Sequence, residues 1–162
     1  MPRDLRVNVG TGGLLFEYDR LLRPDGRRDA VLCIRRRDDV AHCAGQWSTG
    51  GGWLDFGEQP REGVAREFKE EVGLDVEAAS RPLLAVADSY EDPERHVVVV
   101  WYQVRQTTPG DPRNMEPEKA DRVEWLTFSE LKDGRPVMPP LKRYLDTLQQ
   151  DASGVWFDPW VE

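Results

Sequence analysis

Residues Gly52–Leu74 read GWLDFGEQPREGVAREFKEEVGL, and this stretch decides the fold. It fills every position of the spaced pattern G-x5-E-x7-R-E-U-x-E-E-x-G-U, in which U is a bulky apolar residue. The matching residues are Gly52, Glu58, Arg66, Glu67, Phe68, Glu70, Glu71, Gly73 and Leu74. At ordinary residue frequencies, the fixed Gly, Glu and Arg positions coincide by chance in roughly one window in 10^8. The match is therefore a strong signal.

The middle of this stretch predicts an amphipathic helix over Pro60–Val72. Proline suits the first turn of a helix, and Gly73 suits the left-handed position that ends one. At about 100° per residue, one arc holds the apolar residues Val64, Ala65, Phe68 and Val72. We expect this arc to pack inward, and we expect Gly63 to permit close contact with the glycine-rich segment upstream.

Three carboxylates, Glu67, Glu70 and Glu71, share a neighbouring arc of the predicted helix. They repel one another unless a cation compensates them. Oxygen-only ligation suits Mg²⁺ or Mn²⁺, which can neutralise phosphate charge and activate a bound water for pyrophosphate hydrolysis. The planar guanidinium of Arg66 could orient Glu67 and Glu58 through paired hydrogen bonds. A solvated face is the ordinary interpretation of so charged a helix, but the matching positions on both sides of it argue against that.

The rest of the chain predicts an α/β fold. Strands are expected at Val7–Tyr18, Ala30–Ile34, Pro82–Ser89, Val97–Val104 and Arg122–Leu126. Turns are expected at Arg20–Asp29 and Tyr90–Arg95, and helices near Ser129–Leu131 and Leu141–Leu148. The glycine-rich segment Gln46–Gly57 predicts a sharply bent loop. The long polar segment Thr107–Asp121 predicts a second loop, of a length that is often functional.

Bulk properties limit the possible functions. A chain of 162 residues is expected to form a single domain, residues 1–162. Its start, MPRDLRVNVGTGG, lacks the apolar run of a signal peptide, and no stretch is long and apolar enough for a membrane span, so a cytoplasmic location is expected. The net charge of −8 argues against stable nucleic-acid binding. Cys33 and Cys43 have no metal-binding spacing, and a disulfide between them is not expected.

Several other residues have a functional and an ordinary interpretation. Four aromatic residues could stack on a nucleobase or belong to the core: Trp47, Tyr90, Trp125 and Phe128. Arg35, at the start of the run Arg35–Arg37, could meet phosphates, although basic residues at a strand end usually form a solvated edge. His42 and His96 have no partner at ligand spacing, and we assign neither a role.

The filled pattern is the Nudix box, and the chain resembles the Nudix hydrolases over about Val7–Leu131. The resemblance implies an α/β/α sandwich around a mixed sheet, with the box as loop, helix and loop. It also implies that Glu67, Glu70 and Glu71 bind the metal, together with the carbonyl of Gly51. Gly50 stands where a proline is common, and Asp55 where a glutamate is common, but the metal site is intact.

Within the family, WSTGGGWLDFGE and NMEPEKADRVEWL resemble the MutT-like nucleoside triphosphate diphosphatases. By analogy, Glu116 or Glu118 supplies a further ligand or the general base, and Trp125 and Phe128 lie near the base pocket. Tyr90 stands where dinucleoside polyphosphate hydrolases place a tyrosine. A homodimer is plausible by resemblance.

We therefore expect metal-dependent hydrolysis of nucleoside triphosphates, including oxidised or noncanonical ones, to monophosphate and pyrophosphate. A dinucleoside polyphosphate or nucleotide-sugar hydrolase is the first alternative, since the box is shared. A noncatalytic nucleotide-sensing Nudix module is the second, although such sensors typically lose box glutamates. An interaction protein that uses the aromatics near Trp156 and Trp160 is the third.

Overall fold

The structure is a computed structural model that describes residues 7–17, 30–88 and 96–159. Its strands are β1 (Val7–Leu15), β2 (Ala30–Arg36), β3 (Trp47–Thr49), β4 (Gly51–Trp53), β5 (Val76–Ala78), β6 (Leu84–Asp88), β7 (His96–Gln106), β8 (Ala120–Thr127), β9 (Gln149–Gln150) and β10 (Trp156–Phe157). Its helices are α1 (Pro60–Val72), α2 (Phe128–Asp133) and α3 (Pro139–Leu145). The described part of the chain contains no helix long and apolar enough to cross a membrane.

A mixed sheet forms the centre of the molecule, in the order β4-β1-β7-β5, with β6 also paired to β7. The strands β1 and β7 are parallel, whereas the other pairs in this sheet are antiparallel. A second, antiparallel sheet has the order β3-β2-β8. The mixed sheet that the family resemblance implied is therefore confirmed.

Helices cover both sides of the sheets because successive strand residues point to opposite faces. Leu15, Leu32 and Tyr102 pack with α1 in one core cluster. Their strand neighbours Leu14, Val31 and Trp101 pack with α2 and α3 in the other cluster. The expected α/β/α sandwich is confirmed by this division.

The box helix has the predicted bounds, Pro60–Val72. Val64, Phe68 and Val72 are buried, so the apolar arc faces inward as predicted. Gly73 ends the helix with φ 73°, and its N–H donates to the carbonyl of Lys69. That left-handed conformation suits glycine because it has no Cβ.

The prediction of one continuous loop over Gln46–Gly57 was wrong in its first half. Trp47–Thr49 forms β3, which pairs with β2, and Gly51–Trp53 forms β4, which pairs with β1. Gly51 has φ 150°, and a Cβ built there would lie 2.2 Å from the carbonyl oxygen of Thr11. The short strands exist because distant strands supply their hydrogen bonds, which a local pattern does not reveal.

The other predicted elements are present with small shifts. The strand predicted at Val97–Val104 is the longer β7, and the one predicted at Arg122–Leu126 lies within β8. The helix predicted near Ser129–Leu131 is α2, which a Thr127–Glu130 capping box begins. The turns predicted at residues 20–29 and 90–95 lie outside the described residues. Cys33 and Cys43 are both buried, and no disulfide joins them.

Candidate active site

A cavity of about 470 Å³ opens beside β4, within the size range of small-molecule sites. Its floor is one face of the sheet, where two rows of paired residues cross β4, β1 and β7. One row is Trp53, Gly10 and Val99, and the other is Gly51, Gly12 and Trp101. Glycines fill the middle of both rows, and a Cβ built at Gly12 would lie 2.6 Å from the Trp101 ring. The missing side chain at Gly12 makes room for the Trp101 ring, which lies over this glycine.

Carboxylates form the wall of the cavity beside this floor. Glu67 and Glu71 reach it from α1, and Glu116 reaches it from the loop before β8. Two backbone hydrogen bonds tie that loop to the end of α1, from Met115 N to Glu71 O and from Arg113 N to Val72 O, at 2.9 and 3.0 Å. The end of the box helix therefore decides where Glu116 lies.

Glu71 is the carboxylate with the least compensation. Burial raises its pKa to about 8, although Oε2 accepts a hydrogen bond of 2.9 Å from the backbone N–H of Gly51. The nearby charges of Glu67 and Glu116 raise the pKa further. A carboxylate in these surroundings is costly to ionise without a cation nearby.

Glu67 is the second partly uncompensated carboxylate, with a side chain that is 14% exposed. Burial raises its pKa, while a 2.8 Å hydrogen bond from Arg66 Nη1 opposes that shift. A Cβ built at Gly52 would lie 2.6 Å from the Glu67 carboxyl carbon. Glycine at position 52 is therefore needed for this carboxylate to lie against the backbone of β4.

Arg66 braces the outer side of the site. Its Nε and Nη2 donate to the two carboxylate oxygens of Glu58, at 2.8 and 2.9 Å. Nη1 donates to Glu67 and to Glu70, and Nη2 also donates to the carbonyl of Trp53 at 3.0 Å. These bonds hold the pKa of Glu58 at about 2. The contacts predicted for Arg66 with Glu58 and Glu67 are thus present.

Gly63 lies at the same brace, one turn before Arg66. A Cβ built there would lie 2.4 Å from the Leu54 side chain and 3.0 Å from Glu58 Oε2. This is the close contact with the upstream segment that the sequence predicted.

The proposed metal ligands differ in their positions. Gly51, Glu67 and Glu71 border the cavity, whereas the Glu70 side chain is 51% exposed and pairs with Arg66. Within the described residues, no three His, Cys, Asp or Glu side chains are already gathered tightly enough to hold a metal ion. The acidic side chains that face the cavity offer oxygen donors, and burial raises the pKa of two of them, Glu67 and Glu71. This set suits Mg²⁺ or Mn²⁺.

The predicted phosphate-contacting residue Arg35 lies away from the cavity, where it pairs with Asp38 and Asp121. Its neighbour Arg36 lines the cavity instead. Adjacent residues of a strand point to opposite faces, so Arg36 faces the cavity and Arg35 does not.

The predicted aromatic contacts are also placed elsewhere. Phe128 is fully buried, with its ring 6.0 Å from that of Phe16, and it therefore cannot stack on a base as predicted. Trp125 is half-buried and packs against the α1 side of the core. Large aromatic rings in or beside strands bury much apolar surface, and both of these rings contribute to the core rather than to the cavity lining. Tyr90 lies outside the described residues.

Of the two acidic loop residues, Glu116 lines the cavity and Glu118 is exposed. Lys119 also lines the cavity, and its Nζ lies 2.6 Å from Glu116 Oε1. Sequence reasoning assigned no role to Lys119.

The further cavity residues to which the sequence assigned no role include Thr49, Trp53 and Trp101. Thr49 Oγ1 and Trp101 Nε1 are buried and have no hydrogen-bond partner among the described residues. Such groups are costly to bury unpaired. Each of these tryptophans lies next to a glycine of β1 in a row across the paired strands. This pattern could have identified Trp53 and Trp101, but it becomes visible only when the strand register is known.

Comparison with known proteins agrees with this geometry. The NUDIX domain family model matches residues 20–145. The 8-oxo-dGTP diphosphatase of Escherichia coli (strain K12) is 32% identical over 118 residues, covering 69% of this chain and 86% of that protein. A MutT-like protein of Streptomyces ambofaciens is 31% identical over 113 residues, covering 70% of this chain and 63% of that protein.

A solved structure shares the fold over most of both chains. The crystal structure of a MutT NUDIX hydrolase from Burkholderia pseudomallei superposes with a TM-score of 0.68 at 25% identity, covering 87% of this chain and 97% of that one. Together with the filled box and the carboxylate-lined cavity, these similarities show that the chain belongs to the Nudix family and is a MutT-like pyrophosphohydrolase.

Proposed function

We propose that the protein hydrolyses nucleoside triphosphates to monophosphate and pyrophosphate with the help of a divalent metal. The observation that carries this proposal is the Glu67–Glu71 wall, where two carboxylates whose pKa values are raised by burial face a cavity with an apolar floor. Such a cavity suits a ligand with a flat apolar end and a phosphate end, if a cation lies between the phosphates and the carboxylates.

The substrates include oxidised or noncanonical nucleotides in this proposal. Relatives from Escherichia coli and Proteus vulgaris, at 32% and 30% identity, carry the name 8-oxo-dGTP diphosphatase. The Proteus match covers 45% of this chain, so it supports the substrate class less than the Escherichia coli match does.

Mg²⁺ or Mn²⁺ is the proposed cofactor, held by Glu67 and Glu71, with Glu70 and the Gly51 carbonyl as further ligands. When bound, such an ion neutralises phosphate charge and lowers the pKa of a coordinated water. Arg66 keeps Glu67 directed at the cavity while binding Glu58 on its other edge. The N–H of Gly51 holds one oxygen of Glu71 in place.

Glu116 is the proposed general base. Its side chain borders the cavity, and its Oε1 lies 2.6 Å from Nζ of Lys119. Glu118, in contrast, is exposed to solvent. A base must reach the water from which it takes a proton, and this placement favours Glu116 of the two candidates.

A substrate panel tests the proposed function. The purified protein is incubated with Mg²⁺ and nucleoside triphosphates, dinucleoside polyphosphates or nucleotide sugars, and the products are separated by chromatography beside a Glu71→Gln control. Monophosphate plus pyrophosphate from triphosphates, absent in the control, is the expected result. Turnover of the other classes alone would replace the proposal with the corresponding hydrolase, and binding without any turnover would indicate a sensor.

A further inference from the structure

The two tryptophans of the cavity floor differ greatly in exposure. Trp101 is 2% exposed, because its ring is packed beside Tyr144 at a centroid distance of 5.4 Å. Trp53 is 47% exposed, although it lines the same cavity. A large aromatic ring that stays half-exposed at the edge of a cavity leaves apolar surface for a ligand to cover.

The backbone on which Trp53 is mounted is well fixed. Trp53 pairs with Gly10 of β1, and the next residue, Leu54, donates its N–H to the carbonyl of Val9 at 3.1 Å. Arg66 Nη2 donates to the carbonyl of Trp53 itself. One guanidinium therefore holds the Trp53 backbone, Glu58 and Glu67 together, so the point where the indole is attached keeps a defined position relative to the carboxylate wall.

The Trp53 ring lies beside a glycine and two aliphatic residues of the floor. Its neighbour across the strand pair is Gly10, where a built Cβ would lie 3.0 Å from the carbonyl oxygen of Gly52 and 3.6 Å from Cε3 of the indole. Beyond Gly10 in the same row lies Val99, and Val97 lies on the same face of β7. The floor next to the indole is therefore apolar, and the absence of a side chain at Gly10 keeps it low beside the ring.

We propose that Trp53 is a specificity-determining residue that stacks on the substrate's base and favours purine nucleotides. A two-ring base covers more of the indole than a one-ring base does, and stacking on an aromatic side chain grows with the covered surface. The phosphates of the same molecule then extend toward Glu67 and Glu71. This inference rests on the proposed function, since it places a nucleotide in the cavity.

Phe56 provides a matched control on the same segment. It is fully exposed and lies outside the cavity lining, three residues after Trp53. Replacing either residue by alanine removes an exposed aromatic ring, but only the change at Trp53 removes one from the cavity.

The first test compares Trp53→Ala, Trp53→Phe and Phe56→Ala in steady-state kinetics. For purine triphosphates, Trp53→Ala should raise KM by about 5- to 150-fold with little change in kcat. Trp53→Phe should recover most of this loss, and Phe56→Ala should match the wild type. Pyrimidine triphosphates should lose less, and competitive inhibition by inorganic tripolyphosphate, which has no ring, should not change.

Three results would overturn the inference: an unchanged KM in Trp53→Ala, an equal loss for purines and pyrimidines, or an equal loss for tripolyphosphate. The melting temperature is measured in parallel, and the Trp53→Phe variant keeps the test decisive if the alanine variant is poorly folded.

A second test does not depend on turnover. The indole fluorescence of the wild type is titrated with GMP and with UMP, and the same titrations are made with Trp53→Phe. Stronger quenching by GMP that disappears in the variant supports the inference. Quenching by GMP that is as strong in Trp53→Phe as in the wild type contradicts it, because the remaining cavity tryptophan, Trp101, would then account for the whole signal. If the wild type hydrolyses no nucleotide but shows this quenching, the proposed function fails while the stacking role of Trp53 stands.

Discussion

Glu58 and Glu71 lie on the two sides of one acidic site, and their surroundings affect them in opposite ways. On the outer side, Arg66 contacts both oxygens of Glu58 and holds its pKa at about 2. On the inner side, burial and neighbouring carboxylates raise the pKa of Glu71 to about 8. The outer carboxylate is paired with a guanidinium, whereas the inner one accepts a hydrogen bond from the Gly51 N–H and lies near other carboxylates. In the proposed function, the outer carboxylate shapes the site and the inner one binds the metal.

The largest expected effect comes from removing the inner charge. Glu71→Gln should lower kcat by about 100- to 10,000-fold, because it removes charge where the proposed metal acts. Glu77→Gln, at the exposed central position of β5, is the control and should retain wild-type activity. Steady-state kinetics in Mg²⁺ measure both variants. Near-normal activity of Glu71→Gln would show that Glu71 is not a ligand of the proposed catalytic metal.

Removing the outer brace should act on stability. Arg66→Met leaves Glu58 and Glu67 without their shared partner, and we expect a loss of about 2–3 kcal/mol in the free energy of unfolding, less than for a fully buried pair. Arg105→Met is the control: its pair with Glu77 is exposed, and the loss should stay within about 1 kcal/mol. Urea titration measures both. Similar losses in the two variants would show that the Arg66 contacts stabilise the protein no more than the exposed Arg105–Glu77 pair does.

The third prediction concerns how the Glu71 carboxylate makes the stability of the protein depend on pH. The folded-state pKa of Glu71 is raised to about 8, so the folded protein binds more protons than the unfolded chain between about pH 4.5 and pH 8. Glu71 therefore lowers the stability of the metal-free protein as pH rises through this interval, by at most about 5 kcal/mol. Urea titrations in a chelator should show a flatter profile for Glu71→Gln than for the wild type. Parallel profiles would contradict the raised pKa.

The smallest effect concerns the unpaired hydroxyl of Thr49. Thr49→Val replaces a buried group that has no partner among the described residues, and it should raise the free energy of unfolding by about 0.5–1 kcal/mol. In the control Thr147→Val, the lost hydroxyl donates to the carbonyl of Tyr144 at 2.7 Å, so this variant should be destabilised by a similar amount. Opposite shifts in melting temperature are expected. Destabilisation by both would mean that Thr49 has a hydrogen-bond partner in solution.

The box helix and its brace could be predicted from sequence because their contacts are local. Residues three and four apart share a helix face, and the bounds of α1 agree with the prediction from Pro60 and Gly73. Glu58 lies eight residues before Arg66, a separation that one short turn and two helical turns can close. The choice between Arg35 and Arg36 was not predictable, because it depends on which face of β2 meets the cavity.

The sequence alone therefore determined the family, the α/β class, the box helix and the carboxylates at its surface, because these follow from spacing along one segment. Only the tertiary structure decided that Trp53 and Trp101 flank the cavity, that Glu116 rather than Glu118 faces it, and that Phe128 belongs to the core. Each of these depends on strand register or loop docking between segments far apart in the chain. A one-residue shift in register moves every side chain of a strand to its other face, and that choice is made by packing across the whole fold.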